Sequence, residues 1–358
     1  MRLRSALLAL LLLLSLSPRS YALDQSYMPY LGQLPPAEQQ WFAAAFQIYR
    51  KAFIQPDGRV FDPQNGGITH SESQGYGMLL ALLGSDPETF DLIWRFAKAK
   101  MQRADKLFAW KWVPGRGLTD RNNASDGEIL IATALGLAGM RWDNAEYIAE
   151  ATAIAEATGT KLIREFGGFT VLLPGEWAAP TPREPDPTLN LSYYIPLTLP
   201  VLEALAPDHP WEKVMRDGDA ILDSLIHPPS DWSTVNAYGE VVPARGFPPR
   251  FSYDAVRIPL YLMQLGRTSP KVTRYLMEIW PDDTRDIYPF DVFTFARTDK
   301  FWGKSYVFIY EMLHCLDDGT PISADATEMK MTNYFDTSLH LMAIAAMYAH
   351  YPECFPRY

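Results

Sequence analysis

Tyr76-Gly77-Met78-Leu79-Leu80-Ala81-Leu82-Leu83 is followed, after Gly84-Ser85, by Asp86-Pro87-Glu88-Thr89-Phe90-Asp91-Leu92-Ile93-Trp94. The first run has no polar face, so a helix there is buried on every side. The second opens with an N-cap residue, a proline at the first turn and an acid. Its Phe90, Ile93, Trp94, Ala97 and Met101 share one stripe, with charges elsewhere, so it covers a core on one side only. A buried helix backed by an amphipathic one is therefore the local unit.

The couplet recurs. Ile129 to Ala138 is apolar and precedes an amphipathic stretch from Asn144 to Phe166. Tyr193 to Leu205 precedes Trp211 to Ile226, and Ala255 to Leu265 precedes Pro270 to Trp280 with Ser269 as its cap. Tyr306 to Leu316 and Ser338 to Tyr348 are further inner-type segments, and an amphipathic helix from Pro36 to Phe53 comes before them all. Roughly six helices of each kind predict an all-α fold, a closed (α/α)6 barrel. An open solenoid of helical hairpins is the alternative, and the irregular spacing of the couplets favours the ring. Pro and Gly gather at Pro114 to Gly117, Pro174 to Pro187 and Pro243 to Pro249, in connections leading into inner helices. Long ordered loops of that kind usually carry function. No linker or composition break divides residues 23–358, which read as a single catalytic domain.

Residues 1–22 read as a cleavable leader. Arg2 and Arg4 precede the apolar run Ala6 to Leu16, and Ser20-Tyr21-Ala22 offers small residues for cleavage near Ala22. That run is too short to remain as a bilayer anchor. The chain is therefore expected to be periplasmic or secreted, with no membrane insertion of the mature protein. The leader holds three Arg and no acid, so the rest keeps 29 basic against 42 acidic residues, a net charge of −13. Such a chain has no general attraction for nucleic acid or anionic lipid, and neutral polymers remain as ligands. Its 10 Trp and 19 Tyr suit sugar stacking, although filling a large core explains most of them. Cys315 and Cys354 are the only cysteines; an oxidising compartment permits a disulfide, and the sequence leaves their pairing open.

Acids stand where the apolar helices begin. One start reads Thr69-His70-Ser71-Glu72-Ser73-Gln74-Gly75-Tyr76, another Asn123-Ala124-Ser125-Asp126-Gly127-Glu128, and a third Phe251-Ser252-Tyr253-Asp254-Ala255-Val256-Arg257. Asn190-Leu191-Ser192-Tyr193-Tyr194 and Thr332-Asn333-Tyr334-Phe335 head two more. Singly, each acid fits an ordinary helix cap. In a ring of parallel inner helices, however, these starts converge on one mouth. A glycosidase needs two carboxyl groups flanking the scissile bond, one protonated and one ionised, and separate helices can give them separate environments.

Ser71 to Met78, Ala124 to Glu128 with Trp142 beyond it, and Ser252 to Arg257 resemble the three motifs of family 8 glycoside hydrolases, in the family's order. The likeness runs from about Phe53 to Met347 and is nearest to periplasmic cellulases encoded with bacterial cellulose synthases. It implies an (α/α)6 barrel, an inverting endo-β-1,4-glucanase acting on cellulose-like glucan, and no metal or other cofactor. It also makes the cellulose synthase export complex a candidate partner, with trimming of nascent cellulose as the role. By this resemblance Glu72 is the general acid, Asp254 the general base and Asp126 the residue positioning sugar and water. Arg257, Tyr193, Tyr194, Trp112 and Tyr334 are the implied substrate contacts. Glu128 stands where the family usually has Asp, a departure that bears on the local loop.

Other chemistries find no motif: no HExxH, GxSxG or GxxxxGK[ST] occurs. His70 could hydrogen-bond in a cleft, but a structural role is the favoured reading for a His without ligand spacing. Mixed-linkage β-glucanase, xylanase and chitosanase remain alternatives within the family. A silent glucan-binding subunit is the alternative outside catalysis, and the presence of all three acids argues against it.

Overall fold

The computed structural model describes residues 34, 36–280 and 286–356, so the leader read over residues 1–22 lies outside the described residues. The helices are α1 (Pro36–Phe53), α2 (Ser71–Leu83), α3 (Pro87–Phe96), α4 (Ser125–Arg141), α5 (Ala145–Leu162) and α6 (Leu199–Leu205). They continue as α7 (Trp211–Ser224), α8 (Arg257–Met263), α9 (Pro270–Ile279), α10 (Lys304–Asp318), α11 (Ala324–Thr327) and α12 (Tyr334–His350). Even-numbered helices form the inner ring and odd-numbered ones the outer. Helix α12 packs on α2 and α1 covers both, which closes the (α/α)6 barrel.

The inner helices are buried as their composition requires. Every residue of α2 except Glu72 is fully buried, and α4 is buried from Ser125 to Gly139. Each Leu so buried stabilises by roughly 1.5–3 kcal/mol relative to exposure. Two glycines let α2 and α4 approach closely at their starts. A Cβ on Gly75 would stand 2.6 Å from Leu130 Cβ, and one on Gly127 would stand 2.3 Å from Ser71 Oγ. This contact places Glu72 and Asp126 side by side. The outer helices carry the expected caps, with Asp86 accepting from Thr89 N at 2.9 Å and Ser269 from Val272 N at 3.4 Å.

Three inner and outer elements differ from the sequence expectation. Helix α5 stops at Leu162 rather than Phe166, because Gly167 and Gly168 turn the chain with φ of 57° and 86° and pair 163–166 with 169–172. Residues 191–193 form a single 3-10 turn, and α6 starts only at Leu199, after Pro196. Residues 253–256 are likewise a turn, so α8 begins at Arg257. Short antiparallel ribbons complete the molecule. Thr69–His70, Lys111–Val113 and Gly117–Asp120 form one, and Thr188–Leu189, Ser233–Val235 and Val241–Pro243 another. Arg250–Phe251 pairs with Phe290–Asp291. These ribbons lie just before inner-helix starts, and the three Pro- and Gly-rich stretches are their connections.

Cys315 on α10 and Cys354 form a disulfide with Cα atoms 5.8 Å apart, tying the chain end to the inner ring. Among the described residues, no helix is long and apolar enough to cross a membrane.

Candidate active site

The inner-helix starts do converge. A cleft of about 400 Å³ is lined by His70, Ser71 and Glu72 before and on α2, and by Ala124 and Asp126 at α4. Tyr193 comes from the 3-10 turn, Tyr253, Asp254 and Arg257 from the start of α8, Tyr306 from α10, and Asn333, Tyr334 and Phe335 from α12. All six inner segments thus contribute to one site.

Arg257 is its hub. Nη1 donates to Glu72 Oε2 at 2.5 Å and reaches Asp126 Oδ2 at 3.4 Å, while Nη2 donates to Asp254 Oδ1. The guanidinium is almost fully buried, with 2 % of its side chain exposed, against 2 % for Asp126, 15 % for Glu72 and 26 % for Asp254. Three carboxyls thus share one cation away from water. Neighbouring buried carboxyls beside a single positive charge do not all ionise readily. Burial pushes Glu72 up in spite of Arg257, with the charge of Asp254 adding to the rise. Burial likewise pushes Asp126 up to about 8, helped by the neighbouring Glu72. Glu72 and Asp126 therefore retain protons at pH values where ordinary carboxyls have lost them. Asp254, the most open of the three, sits in the turn before α8, so its carboxyl meets the Arg257 side chain rather than a helix end.

Two further buried carboxyls hold the frame. Asp231 Oδ1 accepts from Ser252 N at 2.8 Å and Ala255 N at 3.0 Å, clamping the turn that carries Asp254. Burial, then the charge of Asp254, raises it to about 7. Glu128 accepts from Phe108 N at 2.9 Å and Asn123 Nδ2 at 3.5 Å, and burial raises it to about 8. The departure at Glu128 thus bears on the loop leading to Trp110.

Of the expected aromatic contacts, Tyr193 and Tyr334 line the cleft, and Arg257 stands 5.4 Å from the Tyr193 ring centre. Tyr334 donates to Glu72 Oε1 at 3.1 Å. Two expected contacts are corrected. Tyr194 turns into the wall, where its hydroxyl accepts from Leu172 N at 2.9 Å and its ring abuts Gly218. Trp112 lies outside the cleft, edge-on to Phe96 at 5.4 Å and under Arg59 at 4.9 Å. Trp110 occupies the cleft instead, stacked on His70 with ring centres 5.6 Å apart. His70 is a cleft residue, contrary to the structural role favoured from sequence: its Nδ1 lies 2.7 Å from Tyr334 Oη. Tyr253, Trp302, Tyr306 and Phe335 also line the cleft and were not singled out from sequence. For Tyr253 and Phe335 the signal was adjacency to Asp254 and Tyr334.

Comparison with known proteins agrees with this architecture. The model of the family described as glycosyl hydrolases family 8 matches residues 29–347. A probable endoglucanase of Novacetimonas hansenii is 38% identical over 283 residues, covering 76% of this chain and 81% of its own. An endoglucanase of Cellulomonas uda is 36% identical over 232 residues, covering 62% and 63%. Among solved structures, the endo-beta-1,4-glucanase CMCax from Acetobacter xylinum superposes with a TM-score of 0.77 at 34% identity, covering 86% of this chain and 98% of that one.

Proposed function

The chain belongs to glycosyl hydrolases family 8, and on that footing we propose that it is an endoglucanase cutting internal β-1,4 bonds of cellulose-like glucan by inversion. Glu72 is the general acid, Asp254 the general base, and Asp126 holds the central sugar and the attacking water. The observation that carries the reading is the Arg257 fork, which joins Glu72 and Asp254 through its two terminal nitrogens with Asp126 alongside.

The chemistry follows from the environments. Glu72, whose carboxyl burial pushes up toward the protonated form, donates to the leaving glycosidic oxygen. Arg257, 2.5 Å from Oε2, then stabilises the carboxylate left behind. Asp254, more open to solvent, takes a proton from the water that attacks the anomeric carbon on the opposite face. Inverting pairs need about 6.5–9.5 Å between carboxyls to admit that water. Tyr193 and Trp110 offer flat rings for the apolar faces of glucose units.

Export to the periplasm and trimming of nascent cellulose, with 23–358 as one catalytic unit, extend the proposal. The basic–apolar–small pattern of residues 1–22 supports export, as does a disulfide suited to an oxidising compartment. The deciding experiment compares reducing ends released from carboxymethyl cellulose, xylan, mixed-linkage glucan and chitosan by the wild type, Glu72→Gln and Asp254→Asn. Cleavage of carboxymethyl cellulose, loss of about 10²–10⁴ in kcat in each variant and α-anomer as first product by proton NMR are expected. Initial β-anomer would overturn inversion, and an active Glu72→Gln would remove the acid.

A further inference from the structure

Resting on Glu72 as the acid, we propose that His70 and Tyr334 form the path by which Glu72 regains its proton after each cleavage. The two Glu72 oxygens have chemically different partners. Oε2 meets Arg257 Nη1, which only donates, so Oε2 must accept. Oε1 meets the hydroxyl of Tyr334 at 3.1 Å, which can donate or accept. Glu72 also hydrogen-bonds to Asp126, and Oε1 is the oxygen whose proton can pass to and from Tyr334. Tyr334 Oη in turn lies 2.7 Å from His70 Nδ1, which accepts in one tautomer and donates in the other. His70 is half-buried, lines the cleft and is held against Trp110 by ring stacking. Burial lowers its pKa, with Asp62 and Asp126 acting against the shift and Lys111 with it, so neutral tautomers dominate near neutral pH.

Both states of this chain are satisfied. With Glu72 protonated, Oε1–H donates to Tyr334 Oη, whose own proton points to His70 Nδ1. With Glu72 ionised, His70 Nδ1–H donates to Tyr334, which donates to Oε1. Cleavage leaves Glu72 without the proton it gave to the leaving oxygen. Resetting moves the Tyr334 hydroxyl proton to Oε1 and the His70 Nδ1 proton to Tyr334 Oη, while His70 Nε2 takes one proton from solvent. Asp254 releases to solvent the proton it took from water, so the cycle closes without net change. The reset leaves His70 protonated on Nε2 with Nδ1 free to accept, and after the next cleavage the ring exchanges its tautomer through solvent before the relay runs again. His70 thus acts through Glu72 and not on the sugar.

Reprotonation follows bond cleavage, so its loss slows kcat without slowing the steps that set kcat/KM. His70→Phe keeps the ring against Trp110 but removes both nitrogens. His70→Gln can still hydrogen-bond to Tyr334 but carries no titrating nitrogen. Steady-state hydrolysis of a soluble cello-oligosaccharide is measured for both at increasing imidazole concentration and fixed ionic strength, with Glu72→Gln alongside. At least about a tenfold fall in kcat is expected, with kcat/KM nearly unchanged and kcat rising with imidazole in both His70 variants only. A parallel fall of kcat and kcat/KM with no response to imidazole would make His70 an orienting residue and overturn the relay, as would wild-type kcat in His70→Gln. An active Glu72→Gln would instead remove the acid assignment on which the relay rests.

Discussion

Replacing Asp126 by Asn separates a catalytic carboxyl from a helix cap. The isostere keeps an acceptor for Gly127 N, which now donates to Asp126 Oδ1 at 2.8 Å, so this first-turn bond of α4 survives. Its amide comes near Arg257 Nη1, a contact already long at 3.4 Å, and Arg257 retains Glu72 and Asp254. The charge term then decides the sign. Asp126 is raised from 3.8 to about 8, so between those pH values the unfolded chain has lost a proton that the native state keeps. Stability must fall as pH rises through that window, by about 1.4 kcal/mol per unit where the difference is complete. The ceiling is about 6 kcal/mol, reached above pH 8. The Asn variant lacks this loss. Its melting temperature should match the wild type near pH 4 and exceed it by several degrees at pH 8, at about 2 °C per kcal/mol for a chain of this size. Turnover should meanwhile fall by about 10²-fold or more, because a misplaced sugar or water costs orders of magnitude in rate. Paired thermal melts and reducing-end assays from pH 4 to 9 test both arms. A variant less stable than wild type by a pH-independent margin would return Asp126 to a structural role. Near-normal activity would do the same.

Asp231→Ala leaves the buried amides of Ser252 and Ala255 without their acceptor, at about 1–3 kcal/mol each. Melting temperature and kcat should both fall, Asp231→Asn should recover most of each, and an unaffected kcat would separate Asp231 from Asp254. The disulfide closes a separation of 39 residues, so Cys315→Ser should cost about 3–4 kcal/mol; an unchanged denaturant midpoint under reducing and oxidising conditions would contradict it. N-terminal sequencing of protein recovered from the periplasm should begin near Leu23, and a cytoplasmic product retaining Met1 would end the export proposal.

Hydrophobic period was enough to read the inner ring where nothing interrupts it, as in α2, α4 and α12. It misled where backbone chemistry intervenes locally: Gly167-Gly168 ends α5 early, and the turn at 253–256 delays α8. Tyr193 ends the 3-10 turn and Tyr194 lies just past it, where the backbone leaves the turn with φ −80° and ψ 80°; Tyr193 lines the cleft and Tyr194 the wall. The ladder between Lys111–Val113 and Gly117–Asp120 shifts register between Lys111 and Trp112. The extra residue of that bulge, Thr119, lies on the facing strand, and Trp110, just before the ladder, lines the cleft where Trp112 does not. None of these turns or shifts leaves a periodic trace in sequence.

The carboxyls of the site were legible because each stands at or just before an apolar run too long to face water, but their shared cation was legible only in part. Arg257 lies one turn after Asp254, yet its contact with Glu72 spans 185 residues and its contact with Asp126 spans 131. Asp231 and Glu128 were invisible as clamps for the same reason, since their partners come from other loops. Once assembled, three acids crowd one guanidinium in a place where burial raises Glu72 and Asp126. Stability alone would favour fewer acids there, because replacing a buried ionisable group by a neutral one of similar shape is often neutral or stabilising. Retaining protons on Glu72 and Asp126 while exposing Asp254 is the separation that acid–base chemistry at a single pH requires. On the proposed mechanism, the electrostatic strain that makes the cluster a poor cap set is what equips it to move protons.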